Sequence, residues 1–171
     1  TLAGVEEKQF TELGEKVFEK HLAGDIYPES RALIRAHLSR GHTVVIVSSA
    51  TSYQVAPIAR ELDVEHVFCN RFEVEDGVFT GKIEHPICYA RGKFDVAKQF
   101  VKDRNTDLSR CYFYTDGFED LSLLEKVGYP RPLNPDRSLE EVARRRDWPI
   151  RKFDSRGFPG VREFVRTGLV Y

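Results

Sequence analysis

The feature that most constrains the fold of this chain is an aromatic run, residues 110–115, which stops at Asp116 and is followed four residues later by Asp120. Its length and composition predict a buried strand, and residues 122–127 predict a helix. The two acids therefore stand where a strand passes into a helix. In an open parallel sheet, ligands bind at this carboxyl edge. Two carboxylates held there repel each other unless a cation lies close, and oxygen ligands of this kind suit Mg²⁺.

Charge and length exclude several classes of function. The chain has 171 residues, enough for one domain with a substantial core, and 26 basic against 27 acidic residues. This balance argues against a nucleic-acid or membrane-surface role that depends on bulk charge. The sequence contains no run long enough to predict a transmembrane helix. Its three cysteines, Cys69, Cys88 and Cys111, lack CxxC spacing and predict reduced thiols and a cytoplasmic location.

Strands and helices alternate along the chain, which predicts an α/β sheet with crossover connections. Asp76-Gly77 between two short alternating runs predicts a β-hairpin. Ser48 to Thr51 is interpreted as a turn after a β-branched strand. Predicted helices cover residues 5–22, 29–39, 53–62, 92–102 and 139–146; predicted strands cover 42–47, 64–68, 72–75, 78–81 and 129–133, besides 110–115. Residues 156–160 are interpreted as a linker, and residues 161–171 as the start of a further segment.

Two further sites would converge on the same sheet edge. Ser48 follows a predicted strand, so its hydroxyl and the next backbone N–H groups, beginning with Ser49, are candidates to hold a phosphate oxygen. Taken alone, a serine here is more often a turn or cap residue. Lys93 begins a predicted helix, where a cation is unfavourable. A nearby anion would explain it, while a solvated surface lysine is the simpler interpretation. Asp116 and Asp120 alone could equally be helix-capping acids.

Together these motifs resemble the haloacid dehalogenase superfamily of phosphohydrolases, in particular the branch that contains phosphoserine phosphatase. Val45-Ile46-Val47-Ser48 is similar to the second family motif, Gly92-Lys93 to the third, and Thr115-Asp116-Gly117-Phe118-Glu119-Asp120 to the fourth. Asp76-Gly77 followed by Thr80-Gly81 is also typical of this branch. The resemblance covers residues 6–153.

The resemblance implies a three-layer, Rossmann-like α/β fold with a parallel sheet and a helical cap insertion. It implies a Mg²⁺-dependent phosphomonoester hydrolase that acts on a small phosphorylated metabolite through an aspartyl-phosphate. By analogy, Ser48 and Ser49 would bind the phosphoryl group, and Lys93 would neutralise the charge of the nucleophile and the phosphoryl group. Asp116 would ligate Mg²⁺, and Asp120 would support the metal or the lysine.

The first family motif is absent. It consists of Asp-x-Asp after an apolar strand, and no Asp-x-Asp occurs in these 171 residues. The first central strand of the sheet is therefore expected to be missing, leaving a gap of about 10 Å between the strands at 42–47 and 110–115. We expect a damaged sheet edge, a forced pairing or a partner strand there, whereas a complete central sheet formed by this chain alone would contradict the expectation. On this interpretation the chain is a fragment, with residues 1–28 as part of the cap, 29–154 as the incomplete core and 155–171 as a linker or the start of a following segment.

Three points are left open by the sequence. Glu119 stands where phosphoserine phosphatases usually carry Asn, and an acid there could change metal affinity or simply face solvent. Asn134-Pro135-Asp136 and Trp148-Pro149 resemble members fused to a lysophospholipid acyltransferase, which suggests a downstream domain. The alternative function is a non-catalytic domain that binds a phosphorylated ligand or acts as a scaffold. A nucleotide-binding Rossmann domain is disfavoured because the chain lacks GxGxxG.

Overall fold

The computed structural model describes residues 2–153 and 168–170. Over these ranges, strands and helices alternate along much of the chain, as the sequence predicts. The strands are β1 (Val44–Thr51), β2 (His66–Asn70), β3 (Phe72–Glu75), β4 (Val78–Ile83), β5 (Tyr112–Thr115), β6 (Tyr129–Pro132) and β7 (Gly168–Val170). The α-helices are α1 (Glu7–Val17), α2 (Pro28–Leu38), α3 (Ser52–Glu61), α4 (Arg91–Asp103), α5 (Leu121–Leu124) and α6 (Arg137–Arg145). The predicted linker at 156–160 lies outside the described residues, as does most of the segment at 161–171.

The main sheet has the strand order β2-β1-β7-β5-β6. β1 is parallel to β2, and β5 is parallel to β6. Alternate residues of β1 enter two separate cores: Val45 and Val47 pack with α4 and α5, whereas Val44 and Ile46 pack with α3 and the end of the first helical segment. Since side chains alternate across a strand, this pattern covers both faces of the sheet. The three-layer α/β prediction is confirmed.

The position between β1 and β5, where the sequence analysis expects a gap, is held by β7. This three-residue strand runs antiparallel to both neighbours and pairs with Val44–Ile46 on one side and with Tyr112–Tyr114 on the other. The pairing with β7 therefore ends at Ile46 and Tyr114, just before Val47 and Thr115 at the carboxyl side of the sheet. The sheet is therefore continuous across this position, through a short strand of opposite direction, and the predicted gap is not present in the part of the chain that the structure describes.

The predicted hairpin is present as β3 and β4. Asp76 and Gly77 both have positive φ, 51° and 78°, which is the backbone that the tightest hairpin turns require. The amino-terminal segment packs against this hairpin, because Gly4 N donates to Phe79 O at 2.9 Å. α1 continues as one π-helical turn, Phe18–Leu22, in agreement with the helix predicted at 5–22.

Two local predictions are wrong. Ser48 to Thr51 is not a turn, because β1 continues to Thr51 and pairing resumes there with Asn70. Between the two paired positions, three residues of β1 face one residue of β2, so the strand bulges instead of ending. The helix predicted at 122–127 starts earlier and is shorter: a 3-10 turn, Phe118–Asp120, leads into α5.

Candidate active site

Ser48 lies in the bulged end of β1. Its side chain is buried, and its Oγ accepts a hydrogen bond from Ala50 N at 3.1 Å. This short-range bond fixes the orientation of the hydroxyl relative to the backbone that follows it. The neighbouring Ser49 is exposed, and its carbonyl accepts a hydrogen bond from Asn70 Nδ2 at 2.7 Å. The bulge therefore holds a hydroxyl and backbone N–H groups at the carboxyl end of β1.

Lys93 lies in the first turn of α4 and is 2% exposed. The interpretation of Lys93 as a solvated surface lysine is wrong. Its Nζ lies 3.0 Å from Asp120 Oδ1 and 3.0 Å from Asp120 Oδ2. An isolated buried ammonium is very costly, so this anion is what allows a cation at a helix N-terminus. The anion that the sequence analysis required for Lys93 is Asp120.

Asp120 is held on a second side by β5. It is 1% exposed, and Thr115 Oγ1 donates to its Oδ2 at 2.7 Å. The Thr115 hydroxyl in turn accepts from Gly117 N at 3.3 Å. Because this network uses both the strand end and the turn that follows it, the carboxylate is fixed against the ammonium of α4. The alternative that Asp120 is only a helix cap does not account for this buried ion pair.

Asp116 is half-buried at the end of β5, and Asp136 forms hydrogen bonds with the backbone around it. Asp136 N donates to Asp116 O at 2.8 Å, and Asp136 Oδ2 accepts from Phe118 N at 2.8 Å. The other oxygen of Asp136 caps α6 by accepting from Leu139 N at 2.8 Å. One carboxylate thus ties the turn that carries Asp116 to the next helix.

The donor set for a metal in the described part of the chain is incomplete. Within residues 2–153 and 168–170, no three His, Cys, Asp or Glu side chains are grouped closely enough to hold an ion. Asp120 is bonded to Lys93, and Asp116 is the acid that directly follows β5. Mg²⁺ in phosphoryl-transfer sites is usually bound by one or two carboxylates together with waters and substrate phosphate. The Asp116 carboxylate fits one ligand position in such a Mg²⁺ coordination shell.

Glu119 does not join the buried network. It is exposed, and its carboxylate lies against Gly117, where an added Cβ would overlap both carboxylate oxygens. Of the two alternatives left open by the sequence, the structure places Glu119 at the surface of the turn.

Gly92 explains why the third motif begins with glycine. A Cβ at this position would overlap the carbonyl oxygen of Ile87, and Gly92 N donates to Tyr89 O at 2.8 Å. The preceding Ala90 has a φ of 44°, so the chain turns sharply before α4 begins. The close approach of backbone to backbone sets where Lys93 enters the site.

Cys88 lies where these segments meet. Burial raises the pKa of its thiol to about 11, while Lys93 and a backbone hydrogen bond from Ser48 act in the opposite direction. The thiol is therefore neutral at pH 7, and it lies near both Ser48 and Lys93. The structure thus brings Ser48, Lys93 and Asp120 together at one edge, with Asp116 at the end of β5.

Three residues of this site were missed by the sequence analysis. Thr115 was noted only as the first residue of the fourth motif, with no role for its hydroxyl. Asn70 gave no signal, because its partners are brought close only by folding. Asp136 gave a weak signal, because an acid before a helix predicts an N-cap. Its second bond, to the turn that carries Asp116, is not visible in the sequence.

Comparisons with known proteins show the family of this chain. The model of the haloacid dehalogenase-like hydrolase family matches residues 1–125. A probable phosphatase of Mycobacterium tuberculosis is 38% identical over 128 residues, covering 75% of this chain and 44% of that protein. A phosphoserine phosphatase of the same organism is 33% identical over 156 residues, covering 89% of this chain and 50% of the relative. The chain thus spans about half the length of these relatives.

A solved structure has a closely similar fold. It is a protein of unknown function from Bordetella pertussis, with a TM-score of 0.81 and 29% identity, and the match covers 88% of this chain and 69% of that one. Since the family model covers most of the chain and the second, third and fourth motifs occupy their expected places, this chain is a member of the haloacid dehalogenase-like hydrolases and is similar to phosphoserine phosphatases.

Proposed function

We propose that this chain provides the phosphate-binding and Mg²⁺-binding part of a phosphomonoester hydrolase of the phosphoserine phosphatase type. The observation that carries the proposal is the buried ion pair of Lys93 and Asp120, placed beside Ser48 at the carboxyl edge of the sheet. Burying an ammonium at a helix N-terminus adds little stability, because the cost of removing it from water offsets much of its attraction to Asp120. Binding of a phosphoryl group at this edge explains why the Lys93 ammonium is buried there.

Each residue has a distinct role in the proposed reaction. The Ser48 hydroxyl and the N–H groups of the bulge donate to phosphoryl oxygens. Lys93 neutralises the charge on those oxygens and on the attacking carboxylate. Asp120, which accepts from the Thr115 hydroxyl, holds the ammonium in place. Preorganised donors and cations aimed at the equatorial oxygens supply most of the catalysis in phosphoryl transfer.

Asp116 is the proposed protein ligand for Mg²⁺. When bound, the ion would neutralise phosphoryl charge and orient the phosphate. Asp116 is half-buried, and Asp136 holds its backbone and that of Phe118 at the end of β5. The chain's own contribution is a fixed negative group beside the phosphate position.

The attacking carboxylate is proposed to come from a strand outside these 171 residues, because no Asp-x-Asp occurs among them. Its oxygen would attack phosphorus as the ester P–O bond breaks, and the second aspartate of that motif would protonate the leaving oxygen. Water would then hydrolyse the aspartyl-phosphate. The place for such a strand is between β1 and β5, the position of the short antiparallel β7.

A small phosphorylated metabolite of the phosphoserine class is the proposed substrate. The support is the relative named as a phosphoserine phosphatase, which this chain matches over half of that protein's length. In this family, residues of the cap usually choose the substrate, and the helical segment at 1–28 is proposed to be part of that cap.

A downstream fused domain remains a proposal, as does a cytoplasmic location, which the free cysteines Cys69, Cys88 and Cys111 favour. Within the described ranges, no helix has the length and apolar character needed to cross a bilayer.

The test measures Mg²⁺-dependent phosphate release from O-phosphoserine. We expect none from the chain as printed. A chimera joined to the part of the Mycobacterium tuberculosis phosphoserine phosphatase that precedes the matched region should release phosphate, and Asp116→Asn in that chimera should abolish release. Unchanged activity of Asp116→Asn would refute the metal role.

The second candidate is a non-catalytic domain that binds a phosphorylated ligand. The absence of Asp-x-Asp favours it. It predicts that phosphate ligands stabilise the chain while the chimera, although folded, releases no product. Turnover by the chimera would exclude this alternative.

A further inference from the structure

Asn70 joins two segments of the site that are distant in sequence. It is the last residue of β2 and is half-buried. Its Nδ2 donates to Ser49 O at 2.7 Å, and its Oδ1 accepts from Cys88 N at 2.8 Å. A carbonyl can only accept and a backbone N–H can only donate, so the orientation of the amide is determined by its two partners. A single side chain thus bonds to both segments.

The first partner lies in the bulge of β1. Pairing with β2 stops after Val47 and resumes at Thr51, which is opposite Asn70 itself. The intervening Ser49 carbonyl lies in the irregular stretch, and the amide of Asn70 supplies it with a donor. Asn70 therefore fixes the backbone beside the Ser48 hydroxyl.

The second partner lies in the segment that leads into α4. Cys88 N donates to Asn70, and Cys88 Sγ lies 3.6 Å from Phe68 O, so this segment is attached to β2 at two points. Two residues later the backbone adopts the positive φ of Ala90, and α4 then begins at Arg91. The position of Cys88 therefore sets the position at which Lys93 enters the site.

We infer that Asn70 is a positioning residue, which holds the Ser48 bulge and the start of α4 in the relative arrangement needed to bind one phosphoryl group. This inference rests on the proposed function, in which Ser48 and Lys93 contact the same phosphate. Asn70 itself touches neither reacting atom. The amide donates to a carbonyl and accepts from an N–H at this site, and neither an aliphatic side chain nor a carboxylate of similar size can do both.

The experiment compares four forms of the full chain in Mg²⁺ buffer: wild type, Asn70→Ala, Asn70→Asp and Val101→Ala. Calorimetric titration gives the affinity for orthophosphate at a temperature where all four are folded. Val101 is buried in α4, forms none of the hydrogen bonds of Asn70 and lies eight residues beyond Lys93, so Val101→Ala is the control for a general loss of stability. We expect Asn70→Ala to bind phosphate about tenfold more weakly, since small misplacements of binding groups have large effects, and Val101→Ala to bind as wild type does.

Asn70→Asp separates the two bonds and provides a second variant should Asn70→Ala fail to fold. Its carboxylate still accepts from Cys88 N but has no donor for Ser49 O. We expect weakened phosphate binding with the Cys88 amide still protected from hydrogen exchange. In Asn70→Ala both the affinity and this protection should fall. Wild-type affinity in either Asn70 variant, or an equal loss in Val101→Ala, would overturn the inference.

The hydrogen-exchange measurement also separates this inference from the proposed function. If the wild-type chain does not bind orthophosphate, the proposed function fails. The exchange rate of the Cys88 amide then still tests the connection itself: faster exchange in Asn70→Ala than in Asn70→Asp supports it, and equal rates overturn it.

Discussion

At the scale of single residues, the site depends on charges that are buried and paired. Lys93 and Asp120 are 2% and 1% exposed, and the hydroxyl of Thr115 completes the bonding of the carboxylate. Removing one member of such a pair leaves an uncompensated charge in the interior, which is far more costly than losing the pair as a whole. The stability of the edge and its proposed chemistry are therefore linked through the same two side chains.

A double-mutant cycle tests this pairing. Asp120→Ala should lower the free energy of unfolding by about 3–5 kcal/mol, because the ammonium of Lys93 is left buried without its anion. Lys93→Met should have a similar effect, whereas the double variant should lose less than the sum of the two. Urea unfolding of all four forms gives the coupling. Additive losses would mean that the two charges do not depend on each other.

A second buried titratable group predicts a pH dependence. His37 Nε2 and Tyr114 Oη are 2.9 Å apart, and His37 Nδ1 lies 2.9 Å from His42 Nδ1. Burial, followed by the charges of His42 and Arg40, lowers the pKa of His37 to about 4. Because the unfolded chain then binds more protons than the folded chain, stability that is complete above about pH 6.5 is lost as the pH falls towards 4.

We therefore expect the free energy of unfolding to fall by about 2 kcal/mol from this histidine alone between pH 7.5 and pH 5. Chemical denaturation at both values, in wild type and in His37→Gln, gives the difference that belongs to His37. An equally large fall in His37→Gln would show that other groups cause it.

At the scale of elements, the sequence predicted those helices and turns whose position depends on residues close together in the chain. The hairpin of β3 and β4 follows from Asp76-Gly77, and the start of α2 follows from Pro28 at its first turn. The end of β1 was not predictable, because the bond that keeps Ser49 in an extended path comes from Asn70, 21 residues away. The ion pair between Lys93 and Asp120 was anticipated by the family resemblance. The bonds that join Asp136 to the turn after β5 had no counterpart in the pattern of the sequence.

The start of α4 gives a test at this scale. Gly92→Ala should lower the free energy of unfolding by about 1–3 kcal/mol, the usual cost of overpacking, because its Cβ would overlap the Ile87 carbonyl. Gly24→Ala is the matched control, since an added Cβ there meets nothing within 4 Å. Thermal unfolding of both variants decides the matter: equal stabilities would mean that the close approach at Gly92 is not a constraint.

At the scale of the whole molecule, the sheet supports three of the four family motifs and a short strand in the place of the first. β7 pairs with three residues each of β1 and β5 and runs opposite to both. The absence of Asp-x-Asp allowed an irregularity to be predicted at this position, but which segment would take the place could not be predicted, because a three-residue pairing leaves no periodic signal in the sequence. The fold thus holds Ser48 of β1 and Lys93 of α4, the groups that we propose bind phosphate, at the same edge of the sheet.

The most direct test of this account is a ³¹P-NMR titration of O-phosphoserine with the chain in Mg²⁺ buffer, because one spectrum reports both binding and hydrolysis. We expect the phosphoserine resonance to shift or broaden as the chain is added, this change to be lost in Lys93→Met, and no orthophosphate resonance to grow. An orthophosphate signal that grows with time and disappears in Asp116→Asn would contradict the account, because it would place the attacking residue within these 171 residues. A phosphoserine resonance left unchanged by the chain would contradict the proposed phosphate site itself.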